Sequence, residues 1–300
     1  MRTQQIVVGD VRSPVLVGGP EGGEAVVFIH GNPGGGSDWL RLMAPIAEFA
    51  RVIAPDMPGF AGAEMRGDQG YTVADYARHL DGVIRALGVQ RVHLLAHDFG
   101  GPWALTWAAQ HPDMVASVTL INTGVLLDYR WHRLARIWRI PLVGELMQRI
   151  ATPRLVRALL QHDNPGLDRA SVARVAAHLR PWGTKRAVLR LYRSTNIRSM
   201  IPIAAVLQRH DLPCLVVWGA DDVYLPAEQA YRQTQPFPSA RIHTIAGAGH
   251  WVFLEQAERV AELVVPFLRT QLGGPNPPQT NPPRTMPPRP AHGRRRTVAG

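Results

Sequence analysis

The chain has 300 residues, 46% hydrophobic and 19% charged, with one cysteine and a formal net charge of +10. That balance excludes a disordered polymer and a disulfide-stapled miniprotein, and no apolar run reaches the roughly 18 residues a membrane helix needs. Lone Cys214 allows no internal disulfide and fits a reducing cytoplasm, while Met1-Arg2-Thr3-Gln4-Gln5 leads into a short strand-like run and not a signal peptide's apolar core.

The positive charge is local. Residues 1–129 carry a net −5 and residues 201–272 a net −2, whereas residues 130–200 carry +12 and residues 273–300 carry +5. From 273 onward there are eight prolines and no acid, so this tail cannot bury enough surface to offset its ordering entropy and reads as disordered.

In chain order, the apolar run 25–30 enters a Gly-rich loop, and a helical pattern spans 37–50. A strand at 51–54 ends at Pro55-Asp56. Thr72 and Asp75 form a capping-box start for a helix whose apolar positions Val73, Tyr76, Ala77, Leu80, Val83, Ile84 and Leu87 keep helical spacing; Gly88 closes it. Strands follow at 92–96, 118–121, 214–218 and 240–245, the first leading into a helix to Gln110, and a helix over 255–272 ends the pattern. Near-continuous apolar strands alternating with helices predict an α/β fold around a mainly parallel sheet. Between 125 and 200 the alternation gives way to helices alone, so core (1–124 and 201–272), helical cap (125–200) and tail (273–300) are the expected divisions. A cap over the strands' C-terminal ends covers the place where open α/β sheets bind ligands.

Three side chains stand at such ends. Asp98 lies in Ala96-His97-Asp98-Phe99-Gly100-Gly101, whose small residues permit a tight turn at a helix N-terminus, where negative charge is stabilised. Asp222 lies in Trp218-Gly219-Ala220-Asp221-Asp222, and His250 in Gly247-Ala248-Gly249-His250-Trp251, 28 residues beyond it. Alone, each aspartate is an ordinary helix cap and the histidine an ordinary core residue. Together with His30-Gly31-Asn32-Pro33-Gly34 after another strand, they form one ordered set.

That set resembles the α/β hydrolases with an aspartate nucleophile, the epoxide hydrolases and haloalkane dehalogenases, over about residues 5–272. The resemblance implies an eight-stranded sheet with helices on both faces. It gives Asp98 the nucleophile's place, His250 the base's, and Asp222 the acid's, the spacing to Pro226 favouring Asp222 over Asp221. The backbones of Asn32 and Phe99 take the oxyanion-hole positions. No metal or organic cofactor is implied, and no His/Cys/Glu cluster has ligand spacing.

An aspartate changes the reaction. A carboxylate attacking an ester carbonyl would form a labile anhydride; attacking a saturated carbon, it forms an alkyl ester that activated water can hydrolyse. The leaving group remains. Asn32 matches the dehalogenase form of its loop, but Phe99 stands where a dehalogenase has a Trp indole to hold halide. Tyr192, in Arg190-Leu191-Tyr192-Arg193-Ser194, resembles an epoxide hydrolase's second cap tyrosine, a proton donor for an opening epoxide. Tyr129 is the insertion's only other tyrosine. Epoxide opening is therefore the expected reaction and carbon–halogen cleavage the alternative, with a small lipophilic substrate. Trp39 is a candidate substrate contact, and it and Trp251 read as pocket wall or core.

Trp131, Leu134 and Trp138 share a helical face opposite Arg130, Arg133 and Arg136. Such a helix either meets lipid or lays its aromatic face over the pocket with its arginines in water; the second is expected. A non-catalytic binding protein on this fold, or a nucleic-acid binder using the basic segments, is the remaining alternative. No nucleic-acid motif is present, so no nucleic-acid partner is expected.

Overall fold

The computed structural model describes residues 1–65 and 70–273. The sequence-predicted tail, beyond Gly273, lies outside the described residues. Strands β1 (Arg2–Val8) and β2 (Val11–Gly18) form an antiparallel hairpin, followed by β3 (Glu24–Ile29), α1 (Leu40–Ile46), β4 (Val52–Pro55), α2 (Val73–Ala86), β5 (Arg91–His97), α3 (Gly100–Gln110) and β6 (Val115–Ile121). Helices α4 (Arg133–Trp138), α5 (Val143–Ile150), α6 (Pro153–Asp163), α7 (Arg169–His178) and α8 (Trp182–Ser194) come next, with no strand among them. The described residues close with α9 (Met200–His210), β7 (Cys214–Gly219), α10 (Glu228–Arg232), β8 (Arg241–Ile245), α11 (Val252–Glu255) and α12 (Ala257–Leu272).

The eight strands make one sheet in the order β1-β2-β4-β3-β5-β6-β7-β8. Pairing is parallel from β4 to β8 and antiparallel only where β2 meets β1 and β4. Both faces are covered, which is why the central strands read as unbroken apolar runs. On β3, Val27 and Ile29 enter one core with Tyr76 of α2, Trp103 of α3 and Leu207 of α9. Val26 and Phe28 enter the other, with Leu42 of α1 and Val260 of α12. Tyr76 stacks on Trp103 at 4.1 Å between ring centroids and donates its hydroxyl to the Pro58 carbonyl at 3.0 Å, so its one polar atom is satisfied inside the core.

Local signals explain the boundaries. Thr72 accepts the Asp75 N–H at 3.2 Å while the Asp75 carboxylate accepts the Thr72 N–H at 3.1 Å, closing the expected capping box. Gly88, at φ +65°, ends the chain's run after α2 as expected. Two expected helices are present but irregular at their starts. The 37–50 segment is a 3₁₀ turn, Gly36–Trp39, followed by α1. The 255–272 segment breaks at Gln256 between α11 and α12, where Glu255 turns back to accept the Gly249 N–H at 2.9 Å. Strand β2 escapes the sequence reading because Pro14 interrupts a run whose alternate residues, Val11, Ser13, Val15 and Val17, are buried.

The helical insert α4–α8 is tied to the core by polar contacts beside the strand ends. His178 of α7 bonds Asp38 at 3.1 Å, Asn164 accepts the His250 backbone N–H at 3.1 Å, and Tyr224 donates to Asp163 at 2.8 Å. Each brings an insert residue to a loop that carries or borders the candidate site.

Candidate active site

Asp98 occupies the turn between β5 and α3 with φ +49°, a left-handed backbone that aspartate tolerates better than most residues. The turn fits only because its neighbours are small. A Cβ on Gly100 would run into the carbonyl of Ile29, and one on Gly31 into the side chain of Asp98. The Thr123 hydroxyl donates to the Asp98 carbonyl and fixes the turn from β6. Asn32 approaches from the β3 loop, its backbone N–H donating to Asp98 Oδ1 at 2.7 Å. Phe99 is the N-cap residue of α3, so its N–H is not spent within the helix.

His250, after β8, places Nε2 at 3.4 Å from Asp98 Oδ2 and donates from Nδ1 to Asp222 Oδ2 at 2.7 Å. Asp222, after β7, is the acid brought to the histidine; Asp221 faces solvent and uses its backbone N–H on the Ala248 carbonyl. The Asp222 carboxylate also receives the Asn122 side-chain amide at 2.7 Å and the backbone N–H groups of Tyr224 and Leu225 at 2.8 and 2.9 Å. Asn122 in turn accepts the Gly219 N–H at 2.9 Å, locking the acid to the ends of two strands. Behind His250, His97 donates from Nε2 to the His250 carbonyl at 3.0 Å.

Burial and charge oppose one another here. Burial would lower the His250 pKa, but the carboxylates of Asp222 and Asp98 outweigh it and push it up to about 10. Burial would raise the Asp98 carboxyl; hydrogen bonding and charge from His250, with the Asn32 N–H, hold it below the usual aspartate value. His97 is pushed down to about 3 by burial and by the neighbouring His250 cation, so it stays neutral. The resting constellation is a cationic imidazole between two carboxylates.

Above the carboxylate lies a cavity of about 180 Å³, lined mainly by apolar side chains of the insert. Trp131, Leu134 and Trp138 line it while Arg130, Arg133 and Arg136 are exposed, so α4 and the residues before it lay their aromatic face over the pocket. Tyr192 of α8 is buried against the ring of Phe99, with centroids 5.0 Å apart. Its hydroxyl lies 3.4 Å from both Asn32 Nδ2 and His132 Nε2. Burial, then the Asp98 charge, raise its pKa well above the ordinary tyrosine value, so it keeps its proton.

The other expected contacts are placed differently. Tyr129 lines the cavity, but its hydroxyl donates to the Tyr224 carbonyl at 3.2 Å and accepts the His132 N–H at 3.3 Å, so it braces the loop and has no proton to spare. Trp39 is not a substrate contact: it is fully buried, stacked on Phe253 at 4.3 Å, beneath the site in the second core. Trp251 does line the cavity. His132, Asn122 and Asn164 were not anticipated. Asn122 sits directly after a strand, a position that flags it; the other two lie on the insert, where no strand end marks them.

The chain belongs to a known family: residues 24–257 match the family model described as alpha/beta hydrolase fold. It is 28% identical over 285 residues to a 2-hydroxy-6-oxo-2,4-heptadienoate hydrolase of Pseudomonas putida, covering 88% of this chain and 99% of that protein. Among solved structures, the epoxide hydrolase CorEH superposes with a TM-score of 0.76 at 18% identity, covering 90% of this chain and 99% of its own. A point mutant of the meta-cleavage product hydrolase CumD gives 0.74 at 23% identity, covering 89% and 98%. At those identities the two structures speak for the fold alone.

Proposed function

We propose that this α/β hydrolase forms an ester between Asp98 and a saturated carbon of a small lipophilic substrate, opening an epoxide to a diol. The observation that carries the reading is a carboxylate at the β5–α3 turn, with the Asn32 N–H at 2.7 Å and His250 Nε2 at 3.4 Å. The Pseudomonas putida relative is named for a keto-dienoate substrate. Attack by Asp98 on such a ketone, followed by loss of the carbon group, would leave a labile anhydride on the aspartate, which does not favour that substrate here.

In the first step an Asp98 oxygen bonds to the epoxide carbon, the ring C–O bond breaks, and its electron pair passes to the ring oxygen, which takes the Tyr192 proton. Esterification cancels the Asp98 charge, one of the two that hold the proton on His250. The imidazolium then releases that proton, restoring the Tyr192 phenol, and the neutral ring becomes a base. In the second step His250 takes a proton from water, and the hydroxide adds to the Asp98 ester carbonyl. The resulting oxyanion lies within reach of the Asn32 and Phe99 N–H groups. Collapse breaks the acyl–oxygen bond, the hydroxyl proton passes to the departing alkoxide, and ionised Asp98 with protonated His250 is regenerated. Asp222 holds the imidazole's orientation throughout.

Carbon–halogen cleavage is the second reading, favoured by the Asn32 carboxamide beside the Tyr192 hydroxyl: N–H and O–H donors converge there, as a departing halide requires. A paired panel of terminal and aryl epoxides and primary bromoalkanes tests both. Diol formation exceeding halide release is expected; faster halide release would establish the second reading, and turnover of neither would overturn both.

A further inference from the structure

We propose that the mouth of this cavity docks on an anionic membrane surface, from which the protein draws its substrate. Ile150, Leu155 and Leu159 line the cavity and are also 52%, 52% and 42% exposed, which places them at its mouth. The apolar surface continues outward. Leu142, Leu146 and Ile150 fall four residues apart in one row along α5, and Leu155 and Leu159 form a second row along α6. Leu142 is the most exposed of the large apolar side chains described, at 82%, and is held at φ +66°, a backbone unfavourable for leucine. A leucine kept there buries little of its own surface, and a contiguous set of exposed apolar side chains marks an interaction site.

The charge around it selects the partner. Arg149, Arg154 and Arg157 on these helices and Arg133 and Arg136 on α4 are exposed and make no ion pair among the described residues. Nearby acids are engaged: Glu145 accepts both ends of the Arg193 guanidinium at 2.6 and 2.8 Å, and Asp163 accepts the Tyr224 hydroxyl. A second copy packed symmetrically on this face would set arginine against arginine. The chain's own C-terminal segment has five arginines and no acid, so it is repelled as well. Leucines in a row flanked by free arginines suit the boundary between acyl chains and anionic headgroups. No helix among the described residues is long and apolar enough to cross a membrane, so the contact is one of lying on it. A lipophilic molecule leaving the bilayer there enters directly among the apolar side chains above Asp98. This holds whichever leaving group the site accepts, because docking is measured without turnover.

Sedimentation with vesicles of phosphatidylcholine alone, and of phosphatidylcholine mixed with phosphatidylglycerol, tests it on the full chain. The wild type should bind the anionic vesicles only, and less as salt is raised. Leu142→Asp with Leu146→Asp should weaken partition by roughly tenfold per leucine, and Arg154→Gln with Arg157→Gln by roughly fivefold per arginine. Both pairs are exposed and outside the cavity lining, so their thermal midpoints should match the wild type. Failure of the wild type to bind either vesicle would overturn the proposal. So would a dimer by light scattering that the leucine pair dissolves, or loss of binding on Arg294→Gln, Arg295→Gln and Arg296→Gln with the leucine pair still bound.

Discussion

The sheet and the helical insert each supply part of the cavity, under different constraints. Asp98, Asn122, Asp222 and His250 follow β5, β6, β7 and β8, so the ladder of parallel strands sets their spacing. His132 and Tyr192 come from the insert, where packing among short helices decides which side chains face inward. The charge divides along the same line, with a mildly acidic core and a net +12 over residues 130–200. On the proposed reading, the sheet side holds the groups that make and hydrolyse the ester, and the insert holds those that meet the leaving group and the outside. Substitutions in the two halves should fail in different ways.

The sharpest break is expected at Asp98. Asp98→Asn removes the carboxylate proposed to attack and should lower turnover about 10⁴-fold or more. His250→Ala should instead permit the first step and block the second. One equivalent of product ester should then accumulate on the peptide containing Asp98, detected as a mass increase equal to the epoxide. Adduct on another residue, or steady turnover by Asp98→Asn, would overturn the assignment of Asp98 as the nucleophile.

Asp222→Asn should act through His250. With a folded pKa of about 10 against an ordinary 6.5, the protonated ring stabilises the fold fully below pH 6.5, and that contribution is lost as pH rises through about 10. Asparagine removes the larger carboxylate contribution, so the imidazole, followed by NMR, should titrate at a lower pH and the thermal midpoint should fall less between neutral and alkaline pH. Activity should drop by about 10³–10⁴-fold. An unchanged imidazole titration would show that Asp222 does not hold the proton there.

The same division accounts for what the sequence disclosed. Strand-end motifs are legible because a tight turn demands small residues around Asp98, because Asp222 follows the apolar run of β7, and because His250 stands in a Gly-Ala-Gly-His-Trp loop 28 residues further on. Trp39 misled because a tryptophan near a strand end has no mark that separates pocket wall from core; its stacking on Phe253 comes from α11, more than 200 residues away. Tyr129 misled because residue type shows that a hydroxyl is present and not which carbonyl consumes it. Tyr192 was found by its local motif, but its partners Asn32 and His132 lie 160 and 60 residues away.

In the insert, Tyr192→Phe should slow ring opening by about 10²-fold while leaving hydrolysis of a preformed Asp98 ester nearly unchanged. Rapid-quench measurement of adduct formation and decay separates the steps. Equal slowing of both would mean that Tyr192 supports the site's shape and does not deliver a proton.

The smallest effect expected, at His132, tests the division most finely. Burial pushes its pKa down to about 4, so the ring is neutral near pH 7. Its Nδ1 accepts the Ala135 N–H at 3.3 Å, which leaves the ring's one proton on Nε2, facing the Tyr192 oxygen. Asn32 Nδ2 donates to that oxygen as well. Two incoming donors occupy both lone pairs of the phenol and turn its own hydrogen toward the cavity. At 3.4 Å each bond is long, so each is worth little, and His132→Ala should cost only about tenfold in kcat with KM nearly constant. His132→Gln, which restores an N–H donor, should recover part of the loss. If His132 acts only by orienting that hydrogen, its effect must vanish once the hydroxyl is gone. In a Tyr192→Phe background, His132→Ala should therefore cost nothing further, whereas a packing role would persist and add to the tyrosine loss.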